Sequence, residues 1–287
     1  MFIVTGASGK LGGLVVEALL RLVPTDQIGV SVRDPEKLAG LAARGVRVRR
    51  GDYDDADSLR HAWEGASRVL LVSSNVGASG GNPQKQHETA IAVAKELGVD
   101  RLLYTSQVSS SAKSHFPPGR DHAATEAMLG ASGLAWTALR HGFYADSAMD
   151  MNAHGFASGR LAGPEDGKVA WTTHEDLAEV DALLLAGRET FEGATPPLTG
   201  SEALDLADLA RMASEVTGRT ITRQVISEDA MIRNVQTSGV PESVMEIILG
   251  YYRAAQAEEF ATIDPTLARI LGRAPRPIRG VLSRYLG

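Results

Sequence analysis

The chain contains no cysteine, which removes disulfides, thiolate metal sites and thiol nucleophiles at once. No apolar run approaches the roughly 20 residues that a membrane-crossing helix needs. The opening MFIVTG reads as a short strand, not as the basic region and apolar core of a signal peptide. Basic charge is in deficit: 29 Lys and Arg against 35 Asp and Glu leave a formal net charge of -6, and the sequence pI is near 5.7. A nucleic-acid surface would need clustered cations to neutralise phosphates. These absences lead us to expect a cytoplasmic protein that binds neither nucleic acid nor membrane. Separately, we expect a monomer or homodimer with a small-molecule partner. No tyrosine is followed four residues later by a lysine, whether at Tyr53, Tyr104, Tyr144, Tyr251, Tyr252 or Tyr285. The histidines are scattered, and His87-Glu88 lacks the second histidine of a zinc-protease helix, so no metal site is expected. Ser8 lacks the Gly-x-Ser-x-Gly frame of a nucleophile elbow.

What is present is a rhythm. Short β-rich runs, FIVT, IGVSV, VRVRR, RVLLVS, RLLYTS and AWTALR, alternate with amphipathic stretches such as KLGGLVVEALLRLV and QKQHETAIAVAKELG. Six strands separated by helices predict an α/β fold of the Rossmann type, a doubly wound parallel sheet. After about Phe143, Gly, Pro and Asp punctuate shorter segments. We expect residues 1–143 to form the dinucleotide-binding domain and residues 144–287 a smaller α+β lobe covering the substrate, from which later segments can return to the sheet. Within that lobe helices are expected at about 175–186, in LDLADLARMASEVTG and in ESVMEIILGYYRAAQAEEF, with a strand in TITRQVIS.

The tetrapeptide GASG occurs three times, at residues 6–9, 77–80 and 130–133. Only the first follows a strand, opens a helix and continues to a third glycine. In Gly6-x-x-Gly9-x-x-Gly12 the first glycine allows the tight turn, the second lets backbone approach a pyrophosphate, and the third lets helix lie close on strand. The free N–H groups of the helix start then face the phosphates. The third copy reads as a helix C-cap. The middle copy reads either as a loop beside the reacting end of the cofactor or as a plain connector.

The second strand ends in Arg33, where an NAD-binding chain commonly places an acid. A guanidinium there pairs with a 2′-phosphate, which favours NADP(H) over NAD(H). Asp34 offers the alternative of a ribose contact or a cap for the helix at Pro35. Asp52 and Tyr53, after the third strand, fall where an adenine lies, or in an ordinary loop turn.

The ordered set GASGKLG, SVRDPEK, RGDYDD, LLYTS, HAATE and LRHGFY, together with a tail LARILGRAPRPIRGVL, resembles the NmrA-like branch of atypical short-chain dehydrogenase/reductases, and within it the quinone and triphenylmethane-dye reductases. The resemblance covers nearly the whole chain. It implies NADP(H) along the carboxyl ends of the strands, held by Gly6, Ser8, Gly9, Lys10, Leu11, Arg33, Ser73, Ser74, Thr105 and Ser106. Gly12, Asp52, Tyr53, Asn75, Gln107 and Phe143 complete the expected cofactor set. Arg140 to Tyr144 would approach the nicotinamide, and Tyr144, Phe143 and the loop 75–81 would form the acceptor pocket. Tyr144 is followed here by Ala145, Asp146 and Ser147, a departure from the family pattern that removes any expectation for substrate contacts in that loop.

Enzymes of this superfamily usually present a tyrosine and a lysine where this chain reads RDHAATEAML. His122 and Glu126 stand one turn apart on one helix face. Two readings stay open. In one, His122 donates a proton and Glu126 orients it, with Tyr144 completing the catalytic set. In the other, Asp121 caps the helix and the pair makes only local hydrogen bonds. Ser109 to Ser111 read as a polar surface loop, or as the place of a catalytic serine. The expected function is an NADPH-dependent oxidoreductase passing hydride to a quinone or similar conjugated acceptor. The rival is a non-catalytic, NAD(P)-binding redox sensor of the NmrA type. A sugar-nucleotide epimerase would need the absent tyrosine and lysine.

Overall fold

Every residue of the stretch IGVSV is buried, as expected of a strand covered on both faces. In the computed structural model, which describes residues 1–237 and 241–287, it is the second strand of a parallel sheet. The first half runs β1 (Phe2–Thr5), α1 (Lys10–Leu19), β2 (Ile28–Val32), α2 (Ala39–Ala43), β3 (Arg47–Arg50), α3 (Ala56–Ala62), β4 (Arg68–Leu71), α4 (Pro83–Glu96), β5 (Arg101–Gln107), α5 (Pro117–Ser132) and β6 (Trp136–His141). All six expected strands are present. The second half runs α6 (Ala145–Met151), α7 (Ala153–Ser158), β7 (Arg160–Gly163), α8 (His174–Leu185), β8 (Gly193–Ala194), α9 (Leu206–Thr217), β9 (Thr222–Val225), α10 (Glu228–Thr237), α11 (Glu242–Gln256), α12 (Thr266–Leu271) and α13 (Ile278–Leu286).

The sheet order is β3-β2-β1-β4-β5-β6-β8, with every pairing parallel. Strand order reverses between β1 and β4, and ligands of such sheets bind in the crevice at that switch point. One face of the sheet is covered by α1 and α8, through Val15, Val16, Leu19, Leu177, Val180 and Leu184. The other is covered by α3, α4 and α5, through Leu59, Trp63, Ile91 and Leu129. The edge strand β3 is the most exposed and carries Arg47, Arg49 and Arg50, charges that discourage edge-to-edge pairing.

The helix expected at 175–186 does not sit in the covering lobe. Its buried face lies on α1, and β8 then pairs with β6 through Thr137↔Gly193 and Ala138↔Ala194, so residues 174–198 belong to the sheet layer. Leucine spacing alone could not choose between the two bodies, because either offers an apolar face to an amphipathic helix. The tail holds this helix in place. Asp176, fully buried in the first turn of α8, accepts the Arg276 backbone N–H at 2.6 Å and meets Arg273 Nη1 at 2.8 Å.

The lobe proper has its own core, in which Trp171, Tyr251, Tyr252, Phe260 and Phe156 are buried, and its own two-stranded parallel sheet of β7 and β9. Among the described residues no helix is long and apolar enough to cross a membrane.

Candidate cofactor and active site

The glycine loop joins β1 to α1 at the switch point. Gly6 has φ +59°, a left-handed turn that L side chains rarely adopt, and its N–H bonds Ser31 O at 3.2 Å. Gly12 is buried where helix crosses loop. A Cβ there would stand 2.5 Å from the Gly6 carbonyl oxygen, so no larger residue fits without moving the helix. The start of α1 has Gly9 as its N-cap, no side-chain cap and no acid in its first turn, which leaves its N–H groups to an anion. Leu11 is buried beneath this cradle, while Ser8, Gly9 and Lys10 are exposed. Nothing in this geometry hinders a pyrophosphate, and the cradle fits one.

Arg33 is exposed just past β2, and among the described residues no carboxylate forms an ion pair with it. Its neighbour Asp34 pairs with Lys37 at 3.6 Å and caps nothing. Asp52 takes part in a loop turn, accepting the Asp54 N–H and facing Arg50 at 3.7 Å. Tyr53 points inward between strand ends. Its hydroxyl is 2.5 Å from Thr5 Oγ1 and donates to Val72 O at 2.8 Å, and burial raises the phenol pKa well above its ordinary value.

After β4, a buried histidine shapes the loop. Thr125 Oγ1 donates to Asp121 O, so it accepts from His87 Nδ1 at 2.9 Å, and His87 Nε2 must then accept the Ser74 N–H at 2.9 Å. Burial lowers the His87 pKa to about 3, consistent with this neutral tautomer. Ser73 N–H donates to Thr105 Oγ1, and Ser74 Oγ to Gln86. Ser73, Ser74 and Thr105 are thus brought together at the ends of β4 and β5. Asn75 is exposed beyond them, where a short 3-10 turn begins that touches α11 through Ser243 Oγ and Ala78 O.

His122 and Glu126 share a helix but bond to different partners. The helix α5 starts at Pro117, earlier than RDHAATEAML suggests, so Asp121 lies in its second turn and accepts from Gln84 instead of capping. His122 Nδ1 is 2.8 Å from Tyr104 OH, and burial lowers its pKa to about 4. Glu126 turns to β6: it accepts Arg140 Nε at 3.1 Å and Nη2 at 2.7 Å, and Ser106 Oγ at 2.7 Å. Glu126 therefore orients Arg140 and Ser106, not His122.

On the opposite face of β6, His141 and Asp181 form a fully buried pair at 2.9 Å, and Tyr144 turns its hydroxyl toward the other ring nitrogen of His141 at 3.5 Å. The Tyr144 ring lies 4.2 Å from that of His174. Phe143 faces the lobe, edge-on to Trp171, Tyr251 and Phe260. Its side chain packs against the lobe core while staying partly exposed, and its carbonyl accepts the Thr172 N–H at 2.8 Å.

Gln107 Oε1 accepts the Ser109 N–H. The segment after β5 is partly at the surface and partly packed: Ser111 to Lys113 are exposed, Ser109 and Ser114 are buried, and Val108, Ser109 to Ser111, Lys113, Ser114 and Glu259 line an open cavity of about 230 Å³. The pairs His141–Asp181 and His87–Thr125 were missed from sequence, since a buried histidine is set by partners 40 and 38 residues away. Among the described residues no three His, Asp or Glu side chains are placed to hold a metal.

The comparisons agree with this geometry. A family model described as NAD(P)H-binding matches residues 6–188. Quinone oxidoreductase 2 of Escherichia coli strain K12 is 32% identical over 273 residues, 95% of this chain and 94% of that protein. The crystal structure of the NADPH-dependent quinone oxidoreductase of Escherichia coli complexed with NADPH superposes with a TM-score of 0.93 at 30% identity, covering 100% of both chains. The Citrobacter sp. triphenylmethane reductase complexed with NADP(H) gives 0.90 at 30% identity, again over 100% of both. The chain belongs to this NAD(P)H-binding, NmrA-like family.

Proposed function

We propose that this chain, by family an NAD(P)H-dependent oxidoreductase, uses NADPH to reduce a quinone or a similarly conjugated acceptor. The preference for the phosphorylated cofactor rests on Arg33, an exposed guanidinium with no ion-pair partner among the described residues, at the end of the strand next to the glycine loop.

The observation that carries the acceptor class is the state of the two candidate proton donors. His122 is neutral near pH 7 and bonded to Tyr104, and both carboxylate oxygens of Glu126 are taken up by the Arg140 guanidinium. Neither offers an acidic proton at the moment of transfer. Reduction of a simple ketone needs such a proton, whereas a quinone spreads the arriving electrons over its conjugated frame and takes its proton later from water, and a cationic dye is neutralised by the hydride alone and needs no proton. The relatives named for quinone and triphenylmethane-dye reduction support this class.

When bound, the cofactor supplies a hydride from C4 of its nicotinamide ring. The chain's own part is binding and placement. The glycine loop and the start of α1 hold phosphates, Arg33 takes the 2′-phosphate, and Ser73, Ser74, Thr105 and Ser106 border the reacting end. Tyr144, the loop after β4 and the serine-lined cavity bound the acceptor. Here Tyr144 acts as a wall, with its hydroxyl turned toward His141 at 3.5 Å.

The experiment is to mix purified protein with NADPH, then NADH, and follow cofactor absorbance against a panel of quinones, triarylmethane dyes and simple ketones. Turnover of the conjugated acceptors alone, faster with NADPH, is expected. Tight binding without turnover across the panel would overturn the reading in favour of a redox sensor.

A further inference from the structure

Three pieces of chain far apart in sequence meet at one carboxylate. Asp146, in the first turn of α6, takes Lys10 Nζ on Oδ1 at 2.5 Å and lies 2.6 Å from His174 Nδ1 through Oδ2. Lys10 is the first residue of α1 and the only charged side chain of the glycine loop. The side chains are 53% exposed for Lys10, 21% for Asp146 and 10% for His174, so the contact begins at the cradle and runs inward. Burial would raise the pKa of Asp146, but the hydrogen bonds from Lys10 and His174 outweigh it and hold the carboxyl below its ordinary value. Behind it the His174 ring lies tilted against that of Tyr144, 4.2 Å between centres, and Tyr144 bounds the acceptor space in the reading above. The function proposed above gives Asp146 no role.

A carboxylate oxygen against an ammonium occupies the contact that a phosphate oxygen would make with the same ammonium. The rest of the cradle, an uncapped helix start with no acid in its first turn, is arranged for an anion. We propose that Asp146 is an internal counter-ion of the dinucleotide site: it holds Lys10 until a cofactor phosphate takes that ammonium over, and the freed carboxylate passes the change through His174 to the Tyr144 wall. Cofactor occupancy is thereby coupled to the shape of the acceptor space, with Asp146 and His174 as positioning residues. The inference rests on the glycine loop being the dinucleotide site.

Competition for one ammonium fixes the sign of the effect. Removing the carboxylate should tighten binding, and it should do so equally for NADPH and NADH, because the pyrophosphate is common to both. The test is a fluorescence titration of both cofactors against the full chain and its D146N, K10M and D146N/K10M variants at one ionic strength. We expect D146N to lower both dissociation constants about fivefold or more, within the range of ordinary coupling between sites. K10M should raise both, and in the K10M background the gain from D146N should shrink to about twofold or less, since the double-mutant cycle isolates the shared contact. In the wild type, the ring nitrogen signals of His174 should shift on saturation with NADPH.

Weaker binding of both cofactors by D146N would overturn the proposal, because Asp146 would then be steering Lys10 onto the phosphate. Unchanged binding, or a gain that survives in full without Lys10, would overturn it as well. A wild-type chain that binds neither cofactor would instead reject the reading of the loop, and the proposal with it. D146N is close in shape to the native residue, and its circular dichroism and thermal midpoint separate a local effect from misfolding.

Discussion

Glu126 and Arg140 meet through two N–H···O contacts, 3.1 and 2.7 Å long, that tie α5 to the end of β6. Their side chains are 11% and 34% exposed, so the pair is largely shielded from water, and the hydrogen bond from Ser106 uses a further lone pair of the carboxylate. A carboxylate bound in this way is a brace between two elements that carry the reacting end of the site.

This role predicts how Glu126→Gln behaves. The variant keeps its shape but loses the charge on one side of a shielded pair, which should lower stability by about 1–3 kcal/mol. Quinone reduction should fall less than about tenfold, and His122→Asn should retain turnover likewise. A positioned general acid contributes about 10²–10⁴ in rate. A loss of that size in kcat, with the dissociation constant for NADPH unchanged, would return proton transfer to His122 or Glu126.

Cofactor choice is tested at Arg33. A charge-assisted hydrogen bond is worth about 1.5–3 kcal/mol, roughly ten- to hundredfold in affinity. Arg33→Ala should raise the dissociation constant for NADPH by that factor and leave NADH within about twofold, because only one of the two carries a 2′-phosphate for the guanidinium to meet. Unchanged affinity for NADPH would sink the assignment, and titration of both cofactors reads it directly.

The strands, the glycine loop and the Gly133 C-cap were legible in the sequence because each is fixed by neighbours within a few residues: alternating runs, a third glycine at the right spacing, a left-handed residue after a helix. The partners of His122 and Glu126 were not. Helical spacing puts both side chains on one face, but β5 and β6 approach that face from different positions, so Tyr104 takes one and Arg140 the other. The placement of α8 on α1 escaped for the same reason, since amphipathic spacing states that a face is buried and not against what.

Close packing at Gly12 gives a third prediction. In Gly12→Ala the new methyl would lie 2.5 Å from Gly6 O and 3.0 Å from the Ala7 Cα, both backbone atoms that cannot swing away. The start of α1 must then lift off the loop, at a cost of about 1–3 kcal/mol for an overpacked contact. Both NADPH and NADH should lose at least about tenfold in affinity, in contrast to the selective loss at Arg33. Retained affinity for both would mean that the dinucleotide does not lie on this turn.

His87 contributes to acid stability. Its ring is buried, donates to Thr125 and accepts from Ser74, and burial lowers its pKa from 6.5 to about 3. The native state therefore resists the proton that the unfolded chain binds readily below pH 6.5. Between pH 6.5 and about 3 the unfolded state holds roughly one more proton at this position, so stability rises with pH across that window, by about 1.4 kcal/mol per pH unit. Above pH 6.5 the contribution is complete and flat. His122, lowered to about 4 by burial, acts in the same direction over a narrower range. Urea midpoints measured from pH 7.5 down to 4 should fall steeply below 6.5. In His87→Gln an amide oxygen can still accept the Ser74 N–H, but nothing at this position titrates. That variant should be less stable at pH 7.5 and show a visibly shallower decline in acid. An equal slope in the two proteins would mean that His87 is protonated in the native state, which would break the tautomer assignment and the account of how Ser74 is held at the end of β4.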